Sequence, residues 1–143
     1  MRVLADANIF IAYLLKPRPD SFVTVLLEAV ADGEVTLLMP AALLEEIERT
    51  ILKKPRLHQV ITAARLQRFL ALLAVLCEEI PVIEAAIPPI TRDPKDDYLI
   101  AYAVVGRADY LVSGDNDLLV LQQAGQVQIV TSAQFRQILR KGS

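Results

Sequence analysis

Short apolar runs of strand length alternate with segments of helical spacing from one end of the chain to the other. Arg2–Ala5 reads as a first strand, and a helix follows over residues 8–15 until Pro17 and Pro19 stop it. Asp20 or Ser21 is placed to cap a second helix, which Gly33 closes. Residues 35–39 predict a second strand, with Pro40 in the first turn of a helix reaching about Lys53. Thr62 is the expected cap of a further helix whose second half is apolar on all sides, the pattern of a helix deeply buried or docked on another chain. Residues 80–84 predict a third strand, 98–105 a helix closed by Gly106, and 110–113 a fourth strand. A short helix over 118–123 ending at Gly125, a fifth strand over 127–130, and a last helix capped by Ser132 complete the pattern. Five strands interleaved with helices imply parallel pairing through right-handed crossovers. The expected fold is therefore α/β: a three-layer α/β/α sandwich around a central, mainly parallel five-stranded sheet.

Length and composition narrow the field of functions. The chain's 143 residues fit one domain over residues 1–141, with residues 142–143 as the end of a frayed tail that begins near Arg140. Fifteen Lys+Arg against 17 Asp+Glu leave a charge of −2, so a duplex-coating basic protein is not expected. Aromatics make up 6 % with no Trp, which argues against base stacking as the means of specificity. One Cys (Cys77) and one His (His58) exclude a disulfide framework and Cys/His zinc sites; Cys77 reads as core and His58 as surface. The longest apolar run, residues 69–77, is about half a membrane span, so a cytoplasmic protein without membrane contact is expected. Neither a dinucleotide-binding glycine motif nor a P-loop nor a nucleophile elbow is present. Carboxylates are the abundant reactive groups.

Their positions are informative. Asp6 follows the first strand directly, Asp115 and Asp117 lie just past the fourth, Asp96 and Asp97 stand at the mouth of the preceding helix, and Glu45, Glu46 and Glu48 lie in the helix after the second strand. In an open parallel sheet the strand C-termini share one edge, where ligands bind. Carboxylates crowded there repel one another unless a cation neutralises them, and an oxygen-only ligand set suits Mg²⁺ or Mn²⁺. That is equipment for metal-assisted phosphoester hydrolysis. Each acid also has a purely structural use: Asp6, Asp96 and Asp97 as helix caps, Asp115 and Asp117 as turn residues, and Glu45 paired with Arg49 one helical turn away. With Leu43, Leu44, Ile47 and Ile51 as the buried stripe, Glu46 and Glu48 flank it on opposite sides, and the helical wheel does not choose between them.

Four blocks in this order resemble the PIN-domain ribonucleases, and among them the VapC-like toxins of prokaryotic toxin–antitoxin modules. The blocks are Leu4-Ala5-Asp6-Ala7-Asn8, the helix start Pro40 to Ile47, Asp93 to Ala103 with its Asp93-Pro94-Lys95-Asp96-Asp97 box, and Tyr110 to Leu119 with Ser113-Gly114-Asp115-Asn116-Asp117-Leu118-Leu119. The resemblance implies a catalytic, metal-binding set of Asp6, Glu46, Asp96 and Asp115, with Asn8, Asp97, Ser113 and Asp117 in support. It places the second acid on Glu46, with Glu45 as the alternative one residue away, the third on Asp96, with Asp97 as the runner-up, and Ser113 where many members carry Thr. It further implies an RNA endonuclease that uses Mg²⁺ or Mn²⁺ to activate water and leaves 5′-phosphates, neutralised by a cognate antitoxin that covers the acidic edge. Lys53, Lys54, Arg56 and Arg65 are the candidates for holding the RNA backbone. A mean hydropathy of +0.40 points to a homodimer, through the apolar helix segment 69–77. Two other readings of the same acidic edge are a magnesium-dependent phosphatase and a non-catalytic scaffold of this fold binding RNA or protein.

Overall fold

A computed structural model describes residues 1–142. Six strands form one sheet in the order β3-β2-β1-β4-β6-β5, namely β1 (Arg2–Ala5), β2 (Thr36–Pro40), β3 (Glu78–Ile80), β4 (Tyr110–Val112), β5 (Gln123–Ala124) and β6 (Val127–Val130). Every pairing is parallel except the β5–β6 hairpin. The helices are α1 (Ala7–Leu15), α2 (Phe22–Ala31), α3 (Ala41–Lys53), α4 (Pro55–His58), α5 (Ala63–Leu76), α6 (Pro94–Val105), α7 (Asn116–Leu119) and α8 (Ser132–Gly142). Leu4, Leu37, Leu38, Leu111 and Val112 are wholly buried, as central parallel strands covered on both faces require.

The chain leaves β1 toward β2 and β3, then returns across the sheet to β4 and β6. Right-handed crossovers in opposite directions land on opposite faces, so α6, on the return path, lies across the sheet from α1, α2 and α5. Aromatic contacts lace the first layer together. Phe10 of α1 meets Phe69 of α5 at 6.2 Å between ring centres, and Phe22 of α2 meets Phe135 of α8 edge-on at the same separation. On the other face, Gly106 after α6 passes so close to the sheet that a Cβ there would stand 2.7 Å from Ile80 Cδ1 and 2.9 Å from Leu38 Cδ1. The missing side chain sets how closely α6 approaches β2 and β3.

Several element ends differ from the sequence pattern, each for a local reason. The third strand is Glu78–Ile80 rather than 80–84, because Pro81 has no N–H to continue the ladder. A sixth strand appears where helix 118–123 was expected: α7 stops at Leu119, Gln122 and Gly125 adopt positive φ, and Gln123 and Ala124 pair back on β6. Gly125 is thus a hairpin residue rather than a helix terminator. Pro40 ends β2 and stands before α3 instead of inside it. The helix expected from residue 98 begins at Pro94, with the Asp93 carboxylate accepting the Lys95 N–H at 2.9 Å; Asp93, not Asp96 or Asp97, is its cap. The last helix is capped by Thr131, which exchanges bonds with Gln134 in a reciprocal box, rather than by Ser132. That helix also runs through Gly142, so residues 140–142 continue it as an exposed last turn, and Ser143 lies outside the described residues. The segment around His58 forms the short helix α4. On α5, Phe69 and Leu73 pack into the protein's own core while Leu72 and Val75 face outward. One side of this helix is therefore satisfied within the chain, and its apolar second half does not need a partner on every side. No helix among the described residues is long and apolar enough to cross a membrane.

Candidate active site

The sheet reverses its winding between β1 and β4, and the ends of those two strands carry Asp6 and the Ser113–Asp117 turn. A crevice opens at such a reversal because the flanking helices diverge to opposite faces. Here the Asp6 N–H donates to Val112 O at 2.9 Å, which continues the β1–β4 ladder to the acid itself. Fully buried Ser113 ties the two ends together: its Oγ donates to Asp6 Oδ2 at 3.0 Å and accepts the Asp115 N–H at 3.0 Å. Asp115 in turn caps α7, its Oδ1 accepting the Asp117 N–H at 2.9 Å. Asp6 caps α1 through the Asn8 N–H at 3.5 Å. For both aspartates the structural and the site reading hold together, since one carboxylate oxygen serves the helix and the residue still lines the cleft.

From α3 and α6 come the remaining acids. Asp6, Asn8, Glu46, Asp96 and Asp115 line one cleft of about 570 Å³, along with Asp93 and the basic side chains of Arg49, Lys53, Lys54 and Lys95. Carboxylate oxygens of Asp96, Asp115 and Asp117 lie within 4.8 Å of one another. Glu45 and Glu48 turn elsewhere, into a neighbouring hollow and the α3–α5 groove, so the helix geometry selects Glu46. No ion pair joins Glu45 to Arg49 among the described residues; Arg49 instead acts electrostatically on Glu46.

The electrostatics are those of a crowded, partly desolvated acid cluster. Burial, then the neighbouring Asp115, pushes the Asp96 carboxyl up to about 7. Burial also raises Asp6, against the opposing pull of the Ser113 hydroxyl. Glu46 is raised by burial and by the Asp6 charge, with Lys95 and Arg49 pulling the other way. Asp96 Oδ2 is buried without any hydrogen-bond partner. An orphaned buried oxygen beside two further carboxylates costs free energy as it stands and is relieved by a cation. Because the donors are oxygens, the set fits a hard divalent ion, with Asp96, Asp115 and Asp117 able to hold it and Asp6 and Glu46 beside them.

Three residues from the sequence set, Asp97, Arg65 and Arg56, sit away from this cluster. Asp97 lies one residue beyond Asp96 but does not line the cleft; its Oδ1 accepts the Thr91 N–H at 2.6 Å and the Ile90 N–H at 2.9 Å, pinning the connector that leads into α6. Those backbone donors, Thr91 first, hold its carboxyl below the ordinary range. Such a group contributes stability above its unfolded value near pH 4, and the contribution is lost as pH falls through the lower folded value. Asp97→Asn is therefore expected to have a lower Tm than the parent at pH 7, with the gap closing below about pH 3 in thermal scans. A gap that stayed constant across that range would show that the carboxylate charge is not what secures the connector. Arg65 is likewise committed to the fold: its guanidinium donates to Leu14 O at 2.8 Å at the end of α1 and to Val60 O at 3.4 Å. Arg56 is exposed on α4 and does not line the cleft, whereas Lys53 and Lys54 do. Lys95 is a cation of the cleft that the candidates Lys53, Lys54, Arg56 and Arg65 do not include; its place next to Asp96 in the first turn of α6 is the signal that finds it.

Comparisons with known proteins agree with this architecture. Residues 2–117 match a family model described as a PIN domain. A chain from the crystal structure of VapBC2 from Rickettsia felis bound to a DNA fragment from their promoter superposes with a TM-score of 0.59. The identity is 15 %, over 92 % of this chain and 98 % of that one, a likeness of fold. No curated protein matches the sequence.

Proposed function

The chain belongs to the PIN-domain family, and on that premise we propose that it is a metal-dependent endoribonuclease, the toxin of a toxin–antitoxin pair acting in the cytoplasm. The observation that carries this reading is the convergence of Asp6, Glu46, Asp96 and Asp115 on one cleft at the reversal of the sheet, with a buried Asp96 oxygen left unpartnered. Asp6, Asp96 and Asp115 would hold the Mg²⁺ or Mn²⁺ together with Asp117, whose carboxylate lies within 4.8 Å of those of Asp96 and Asp115. When bound, such an ion neutralises charge developing on a phosphate and lowers the pKa of water. Glu46, whose pKa is raised by burial and by the Asp6 charge, faces the same cleft and is suited to orient the attacking water and to accept its proton. Ser113 fixes Asp6 against Asp115 so that the carboxylates keep their spacing. Arg49, Lys53, Lys54 and Lys95 form a cationic rim that suits the phosphates of an RNA strand.

Attack by water leaves the ribose 2′-hydroxyl unused, so the products carry 5′-phosphate and 3′-hydroxyl ends. The test is incubation of the full chain with structured and single-stranded RNA in Mn²⁺, in Mg²⁺ and in EDTA, with the ends of the fragments mapped. Ion-dependent cleavage leaving 5′-phosphates is expected. Release of phosphate from a simple monoester without RNA cleavage would favour a phosphatase, and RNA binding without turnover a scaffold. The proposed antitoxin covers the acidic edge and inserts a basic side chain among its carboxylates. A homodimer through α5 would use the outward-facing Leu72 and Val75.

A further inference from the structure

Beside the acid cleft, and sharing Glu46, Arg49, Lys95 and Leu99 with it, a second hollow of about 340 Å³ opens between α3 and α6. The apolar part of its wall is contributed by Leu43, Pro94 and Leu99. Tyr98 lines it too, and among the described residues it is the one exposed aromatic side chain, at 37 %. Its ring is backed by that of Tyr102, 5.0 Å away between centres. Tyr102 is itself buried, and its hydroxyl accepts the Ile83 N–H at 3.3 Å. The exposed ring is thus a supported platform rather than a loose side chain. Every other aromatic residue is spent on the core or lies half-buried against it.

We propose that this hollow receives one unstacked nucleobase of the RNA strand whose phosphate lies in the acid cleft, with Tyr98 as the stacking surface. The inference rests on the nuclease reading above and specifies the substrate's form. Continuity with the acid cleft is the first support: Arg49 and Lys95 stand on the shared rim, where the phosphate between the bound base and the cleaved bond would pass. Chemistry of the lining is the second. A base is a flat apolar plate with polar edges, and it meets an aromatic face, aliphatic walls and, at the rim, the Glu45 carboxylate as an acceptor for ring or amino N–H groups. Size is the third, since a hollow at the small end of ligand sites holds a base with its sugar and not a duplex. A base enters only after leaving its stack, so single strands and loops are substrates in preference to paired helices.

Binding and cleavage are separated by working in an Asp96→Asn parent, which leaves the RNA intact. A fluorescein-labelled single-stranded RNA is titrated by anisotropy against this parent and against its Tyr98→Ala and Tyr98→Phe derivatives. Tyr98→Ala is expected to weaken binding roughly tenfold, the size of one lost base–aromatic stack, and Tyr98→Phe to stay within about twofold. With four tyrosines and no tryptophan in the chain, quenching of tyrosine emission by unlabelled RNA gives a second readout, expected to shrink in both derivatives. The same sequence annealed to its complement is expected to bind more weakly than the single strand. Equal affinity of Tyr98→Ala and its parent, or tighter binding of the duplex, would overturn the inference. So would light scattering in which Tyr98→Ala turns a dimer into a monomer, since a second copy would then occupy the hollow. If the unmutated chain cleaves RNA while Tyr98→Ala binds normally, the base site alone fails. If the unmutated chain neither cleaves nor binds RNA, the nuclease reading fails with it.

Discussion

Asp96→Asn is expected to reduce RNA cleavage on the order of 100- to 1000-fold while making the ion-free protein more stable at pH 8. Loss of activity follows from removing a charged ligand from the proposed ion site. The gain in stability follows from the carboxyl's position: burial and Asp115 raise Asp96 to about 7, so the native state holds its proton far above the pH at which the unfolded chain releases it. A raised carboxyl pKa opposes folding once pH exceeds the unfolded value near 4, and the opposition is complete above about pH 7. Asparagine has no charge to desolvate. Its advantage over the parent in EDTA, roughly 2–4 kcal/mol at pH 8, shrinks as pH falls through 7 and vanishes near pH 4. Manganese reverses the ranking by stabilising the parent and leaving the variant nearly unmoved. Thermal scans at pH 4, 6 and 8, with and without Mn²⁺, check all of this. A variant less stable than the parent at pH 8 in EDTA would mean that Asp96 supports the fold rather than the site.

Phe135→Ala is expected to lower stability by about 3–5 kcal/mol, measured by urea unfolding. Phe135 is fully buried, with its ring edge-on to Phe22 at 6.2 Å and to Tyr110 at 5.5 Å. It is the main anchor of α8, joining that helix to α2 and to β4. Truncation removes the transfer free energy of the ring and leaves a cavity whose walls belong to three elements and close poorly. Cleavage by the folded fraction at low temperature should survive, because no residue of α8 lines the acid cleft. A loss below about 1 kcal/mol would mean that α8 is docked by other contacts.

Much of the site is legible in the linear order of residues. Asp6 and Asp115 each come just after a buried strand, and in a parallel sheet that position means one edge. An acid at a strand end can therefore be assigned to that edge before any helix is placed. The paired acids are a different matter. Glu45 and Glu46 are adjacent in sequence and differ by about 100° around α3, and only the packing of α3 against the sheet tells which one meets Asp6. Asp96 and Asp97 diverge in the same way, one toward the cleft and one onto the Ile90–Thr91 backbone. Arg65 stands with Lys53, Lys54 and Arg56 as an RNA-backbone candidate by sequence, yet its guanidinium caps the end of α1, a contact across fifty-one positions of chain.

Composition says least where few residues do much. A 6 % aromatic content argues against stacking, but a count of side chains does not locate them, and the hollow beside the acid cleft holds the one supported ring on which the proposed base would sit. Edge strands show the same limit on the fold. The two residues of β5 have no periodicity to detect, and their pairing depends on positive φ at Gln122 and Gly125 as well as on β6 being within reach.

The order of residues alone was enough for the alternation of strands and helices, the parallel sheet and the edge on which the acids gather, because these follow from local periodicity and from a handedness that every L-chain shares. It took the packed chain to settle which of two neighbouring carboxylates faces its counterparts, which cations stand beside them, and where an aromatic ring is left uncovered. Those outcomes depend on how each helix is rotated and tilted by contacts with residues remote in the chain, information that no local window contains.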